Sequence, residues 1–170
     1  MRAWRISKAS RATDLSGKGA AIEGGRWNNA EVRAVYLGLS PAICALETFV
    51  HQTRRPVIPM KITVLELPDD PELYLEPALN ALNALNALNA LNALNALPVG
   101  WAALPADRPS MSYGTAWIAS NAQFGMILPS AVMPIERNIM LNPRHPALSD
   151  VEIVEVLDFF YDDRMFTIRP

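Results

Sequence analysis

Apolar and polar positions alternate most cleanly between Val32 and Leu39. Arg33, Val35, Leu37 and Leu39 fall on one side there, and Val32, Ala34, Tyr36 and Gly38 on the other. A period of two predicts a half-buried strand. It sets Tyr36 opposite Val35 and Leu37, between small residues that leave room against its ring. The period changes at Ser40-Pro41, a serine cap with proline at the first helical position. On the helix so predicted, Ile43, Leu46 and Val50 define one arc, and Glu47 lies about 40° from Ile43 at its edge. A carboxylate there is half desolvated and needs a partner. Arg26 is the natural candidate. Arg54-Arg55-Pro56 ends the helix.

Elsewhere the signals are shorter. Ala3–Ile6 reads as a strand, followed by a polar, turn-rich loop to Gly25 that carries Gly17, Gly19, Gly24 and Gly25. Paired glycines serve either a tight turn or close approach to a ligand. The spacing is not a dinucleotide fingerprint, because no strong strand precedes it and no helix follows. Pro59–Leu65 is a strand closed by Pro68-Asp69-Asp70-Pro71, and Trp101–Ser110 a proline-rich connection. Tyr113–Asn121 is a short helix containing Trp117. Phe124–Leu128, Asn138–Asn142 and Val151–Phe160 are strands, the last with Ile153, Leu157 and Phe159 on one side. Strands interleaved with few helices and irregular loops predict an α+β fold.

Residues 78–95 are six perfect Ala-Leu-Asn repeats. A period of three slips the leucine stripe by about 60° per repeat, so a helix there presents no steady apolar face. The tract is expected to be an exposed loop or loosely docked helix without a catalytic role.

Composition narrows the class. A chain of 170 residues with 51% hydrophobic content is long enough for one domain with a real core. Net charge is −2 with no long run of like charge, which argues against nucleic acid or an anionic membrane as main partner. One cysteine, Cys44, and two histidines leave no internal disulfide and no ordinary structural zinc site. With no secretory signal and no window of 18 apolar residues, a soluble cytoplasmic protein is expected.

The chemical inventory excludes a P-loop and a Gly-x-Ser-x-Gly elbow. His51, about 40° from Glu47 on the projection, reads either as a site contact or as a helix-end cation; His145 reads as a loop histidine. Arg, Tyr, Glu and serine near glycine-rich backbone suit an anionic sugar-phosphate ligand. Arginine grips phosphate, a ring stacks, and a carboxylate engages ribose or an oxocarbenium-like transition state. The alternative is an Arg26–Glu47 pair that merely closes the core.

Several motifs occur together and in order: Trp4-Arg5-Ile6, Asp14-Leu15-Ser16-Gly17, Gly24-Gly25-Arg26-Trp27-Asn28, Val35-Tyr36-Leu37, Ala45-Leu46-Glu47, Leu128-Pro129-Ser130-Ala131-Val132, and Asn138 with Asn142–Pro146. The set resembles RES-domain proteins, the toxin halves of Xre–RES toxin–antitoxin modules, named for an Arg, a Glu and a Ser. The resemblance spans the chain except for the repeat. It implies a single α+β domain over 1–170, with an insertion at 78–95 and a fold like the diphtheria-toxin-type ADP-ribosyltransferases. It implies NAD as substrate, cleaved by hydrolysis or phosphorolysis or used to ADP-ribosylate a protein, with no metal and no bound cofactor. Its catalytic residues map to Arg26, Tyr36, Glu47 and Ser130, with Ser120 the alternative serine. Arg5 joins Arg26 and Tyr36 in substrate binding. The implied partner is an Xre-family helix-turn-helix antitoxin, with a homodimer left open and no direct nucleic-acid or membrane contact.

Overall fold

In the computed structural model the described residues are 1–52, 54, 56–77 and 96–166. The Ala-Leu-Asn tract, and with it the expectation of an exposed loop or docked helix, lies outside them. Among these residues seven strands are formed: β1 (Arg2–Lys8), β2 (Val35–Gly38), β3 (Met60–Glu66), β4 (Tyr74–Leu75), β5 (Gly125–Pro129), β6 (Arg137–Leu141) and β7 (Glu152–Phe159). They make one sheet in the order β4-β5-β6-β2-β1-β3-β7, antiparallel throughout except for the parallel β4–β5 pair. Among the described residues three α-helices accompany it: α1 (Lys18–Glu23), α2 (Pro41–Phe49) and α3 (Arg108–Ser120).

Cross-strand partners share a face of a sheet, so the register sorts the residues. Ala3, Val35, Leu37, Leu65, Ile139 and Leu141 build one buried face. The other carries Tyr36, Gly38, Asn138, Met140, Met126 and Leu128, covered by Trp117 and Ile118 of α3 and by Trp27. α2 packs beside it, Cys44 against Ile6 and Met60. Between these regions β1 and β2 share a single register pair, Trp4 with Gly38, and then diverge.

Several expectations are corrected. The first loop contains α1, bracketed by Gly17 and Gly24 at φ +70° and +80°, because alanines and Ile22 favour a helical turn between two left-handed glycines. α2 stops at Phe49 rather than Arg54; the Thr48 hydroxyl bonds back to the Cys44 carbonyl at 2.8 Å, a contact that favours bending away from the helix. α3 begins at Arg108, within the supposed proline-rich connection. Asp107 caps it and proline sits in its first turn, where its missing N–H costs nothing. Where β7 pairs with β3 the register shifts between Val64 and Leu65, so that Glu155 pairs with Val64 but Ile153 with Leu65. A bulge of this kind moves the following residues to the other face, so Ile153 does not share a side with Leu157 and Phe159.

Candidate active site

Ser40 fixes the start of α2, its hydroxyl accepting the Ile43 amide at 3.2 Å. Ile43 and Cys44 are buried on the sheet, and one turn further Glu47 is carried to the sheet face, half-buried. Two donors meet there on a single carboxylate oxygen. The Ser130 hydroxyl donates to Oε1 at 2.7 Å, and so does Asn138 Nδ2, also at 2.7 Å. Ser130 is fully buried at the turn between β5 and β6. Its Oγ accepts the amides of Val132 at 3.0 Å and Met133 at 2.9 Å. With both lone pairs engaged, its one proton is committed to Glu47. Such a hydroxyl orients; it is no free nucleophile.

Tyr36 lies two residues from Gly38, the register partner of Asn138, so phenol and carboxylate face the same side of the sheet. The Tyr36 hydroxyl donates to Asn28 Oδ1 at 2.6 Å and accepts the Trp27 amide at 3.1 Å. Burial holds its pKa well above the usual phenol value, opposed by the Trp27 amide bond and the nearby Arg26 charge. The group is a fixed hydroxyl, not a phenolate base. Asn28 is completely buried, and its Nδ2 donates to the carbonyls of Ala20, Asn29 and Val32. The glycine pair makes room for this arrangement: a Cβ on Gly25 would lie 2.9 Å from the Tyr36 hydroxyl, and one on Gly24 2.9 Å from the Asn28 carbonyl. Gly38, in contrast, accommodates α2, because a Cβ there would stand 2.8 Å from the Cys44 nitrogen. That space is filled by protein.

Arg26 does not pair with Glu47. Its Nη1 donates to the carbonyls of Trp101 at 2.9 Å and Ala103 at 2.8 Å, while neighbouring Trp27 stacks on Trp101 with centroids 5.8 Å apart. The expected ion pair is replaced by two neutral contacts, since Ser130 and Asn138 already occupy the carboxylate. The core-closing salt bridge is therefore absent. Arg5 lies on the Ala3–Thr63 face of β1 and donates to the Asp14 carbonyl. Burial lowers its pKa, with Asp14 opposing. Its charge reaches Cys44, whose buried thiol is pushed up to about 11 and also senses Glu47. Ser120 is exposed at the end of α3, bonded to the Trp117 carbonyl, and is not brought to Glu47. His51 is exposed past the end of α2. His145 caps the turn that begins at Pro146, accepting the Ala147 amide. Among the described residues no group of three His, Cys, Asp or Glu is placed to hold a metal, and no helix is long and apolar enough to cross a membrane.

Residues 2–162 match the RES domain family. The chain belongs to the RES-domain family. Its relatives include the Prs ADP-ribosylating toxin of Sphingobium sp. (strain YBL2), 36% identical over 167 residues, covering 95% of this chain and 94% of the relative. Toxin Res of Yersinia enterocolitica is 31% identical over 156 residues, 91% of each chain. Toxin Res of Pseudomonas putida is 32% identical over 166 residues, 96% of this chain and 98% of the relative. Among solved structures, the fold is similar to a chain of the Mycobacterium tuberculosis MbcT–MbcA toxin–antitoxin complex, with TM-score 0.60, 17% identity, and coverage of 94% of this chain and 84% of that one.

Within this RES domain, Asn28, Asn138 and Trp101 carry contacts that the residue inventory assigned to no one. Asn28 and Asn138 lay inside quoted motifs, but a neutral amide announces no chemistry. The usable signal was indirect: a half-buried carboxylate and a half-buried phenol both require hydrogen-bond partners, and amides on neighbouring elements are natural suppliers.

Proposed function

We propose that this RES-domain protein is the toxin of a toxin–antitoxin module and cleaves the nicotinamide–ribose bond of NAD, depleting the cell of NAD and arresting growth. The observation that carries the reading is the Glu47 carboxylate, held on one oxygen by Ser130 and Asn138 and facing the same side as Tyr36. In this reading Arg26, through its remaining N–H groups, attracts the diphosphate, while Arg5, on the Ala3–Thr63 face of β1, is bonded to the Asp14 carbonyl. Tyr36 lies against the nicotinamide or adjoining ribose. Glu47 engages the ribose hydroxyls and stabilises the positive charge that develops at C1′ as the C1′–N bond breaks. The bonding electrons leave with nicotinamide, which departs neutral, so no strong general acid is required. Water or phosphate then bonds to C1′ and its displaced proton passes to solvent. Fixed electrostatics of this kind supplies a large part of many enzymatic accelerations. The sheet in which β1 and β2 share one register pair, and the toxin–antitoxin neighbour of similar fold, support a diphtheria-toxin-type ADP-ribosyltransferase architecture. The partner in this proposal is an Xre-family antitoxin, and the compartment the cytoplasm.

A second reading, transfer of ADP-ribose to a host protein, is favoured by the name of the Sphingobium relative, an ADP-ribosylating toxin. NAD labelled in the adenylate half separates the two. Free ADP-ribose or its phosphate supports the first, and label retained on protein the second. Glu47→Gln is expected to stay folded, lose turnover by about 100-fold or more, and relieve growth arrest. A fully active Glu47→Gln protein would remove Glu47 from the mechanism.

A further inference from the structure

Glu47 sits near the end of a nine-residue helix with three rotatable bonds between backbone and carboxylate. Nothing in α2 itself fixes where that group points. The two donors come from elsewhere, and both are rigid. Ser130 is locked by two backbone amides of its own turn. Asn138 stands in the interior strand β6, paired with Gly38 on one side and Leu128 on the other. Both recorded partners of the carboxylate fall on Oε1, which divides the group into an anchored oxygen and a presented one.

We propose that Asn138 is a positioning residue that acts with Ser130 as a two-point clamp on Glu47 Oε1, so that Oε2 faces the ribose of the bound nucleotide. The inference rests on the NAD-cleaving reading and adds a division of labour to it. One donor leaves the carboxylate free to swing about a single hydrogen bond. Two donors from separate elements remove that freedom, and a displacement near 1 Å at a reacting centre costs on the order of 100-fold in rate. Because the clamp works only when both contacts exist, loss of either should release the carboxylate.

The experiment is a double-mutant cycle of Ser130→Ala and Asn138→Ala, read as kcat and KM for NAD. Each single variant is expected to lower kcat about 10- to 100-fold with KM changed less than about threefold. The double variant should be little worse than the poorer single one, far short of the product of the two losses. Wild-type kcat in Asn138→Ala, a loss confined to KM, or fully multiplicative losses would overturn the clamp. If Asn138→Ala does not fold, Asn138→Asp takes its place, keeping the shape and removing the donor; retained kcat there overturns the proposal equally. If the wild type turns over no NAD, the functional reading falls, and the clamp is judged on melting temperatures of the same four proteins without nucleotide. Coupled losses support it and additive losses overturn it.

Discussion

Replacing Gly114 with alanine sets two effects of known sign against each other. In the interior of a helix, Gly→Ala ordinarily stabilises by about 1 kcal/mol. Gly114 lies near the middle of α3 where the helix crosses the Trp27 backbone, and a Cβ there would stand 1.9 Å from the Trp27 carbonyl oxygen and 2.8 Å from its carbon. Carbon–oxygen contacts settle near roughly 3.3 Å, so helix and loop must separate by about 1.4 Å. The opposing atoms are backbone, pinned by the Trp27–Tyr36 hydrogen bond and by the Asn29 amide on Thr115 Oγ1 at 2.9 Å, and they have no rotamer through which to yield. Overpacking of this kind costs about 1–3 kcal/mol or more. Taking about 3 kcal/mol against about 1 kcal/mol of propensity leaves a net loss near 2 kcal/mol, or roughly 4–8 °C in melting temperature for a chain of this size. The displaced loop carries Arg26, so NAD turnover should fall together with stability. Thermal melts followed by circular dichroism, with a turnover assay on the same samples, provide the check. A melting temperature equal to or above wild type would show that propensity prevails, and the steric reasoning would be wrong.

Three further outcomes are expected. Tyr36→Phe strips the partner from the Trp27 amide and from Asn28 Oδ1, which should cost about 1–3 kcal/mol, visible as a lower urea midpoint; an unchanged midpoint would contradict the role given to this hydroxyl. The Cys44 thiol, pushed up to about 11 by burial, stays neutral in the folded protein where the unfolded chain ionises. Its contribution is therefore fully present below about pH 9 and lost as pH rises through about 11, at most about 3 kcal/mol. Cys44→Ala should remove that part of the slope in urea melts, and identical slopes for the two proteins would refute it. Deleting four of the six Ala-Leu-Asn units should leave turnover intact, because the named site residues lie outside the tract; a folded but inactive deletion would show that the tract contributes to the site.

What the chain disclosed beforehand was local. The Ser40-Pro41 cap and the placing of Tyr36 opposite Val35 and Leu37 depend on neighbours within a few residues, and the structure agrees with both. Glu47 was legible as a carboxylate in need of a partner, yet the partner that residue chemistry named for it, Arg26, was the wrong chemical type, and Ser130 came only from the family resemblance. A charge suggests a countercharge, while the structure satisfies Glu47 with a hydroxyl and an amide 83 and 91 residues away. The Arg26–Glu47 pairing was misread for the same reason, since the carbonyl partners of Arg26 at Trp101 and Ala103 lie 75 and 77 residues on, beyond the repeat. Two-residue β4 has no period to detect, and the β7 bulge is a property of its pairing with β3 rather than of either strand.

These misses share a physical form. Periodicity reports which side of an element faces the core, and residue type reports which groups carry charge, but neither reports the direction of a hydrogen bond. The candidate site is organised by such directions. Asn28 turns its oxygen to Tyr36 and its nitrogen to three carbonyls; Ser130 turns its lone pairs to Val132 and Met133 and its proton to Glu47. A neutral amide or hydroxyl used in this way desolvates far more cheaply than an ion pair. It fixes a carboxylate without neutralising it, leaving the negative charge available for a cationic transition state. An Arg26–Glu47 bridge would have consumed that charge. The absence of the bridge in the structure is therefore what makes Glu47 useful for the chemistry proposed.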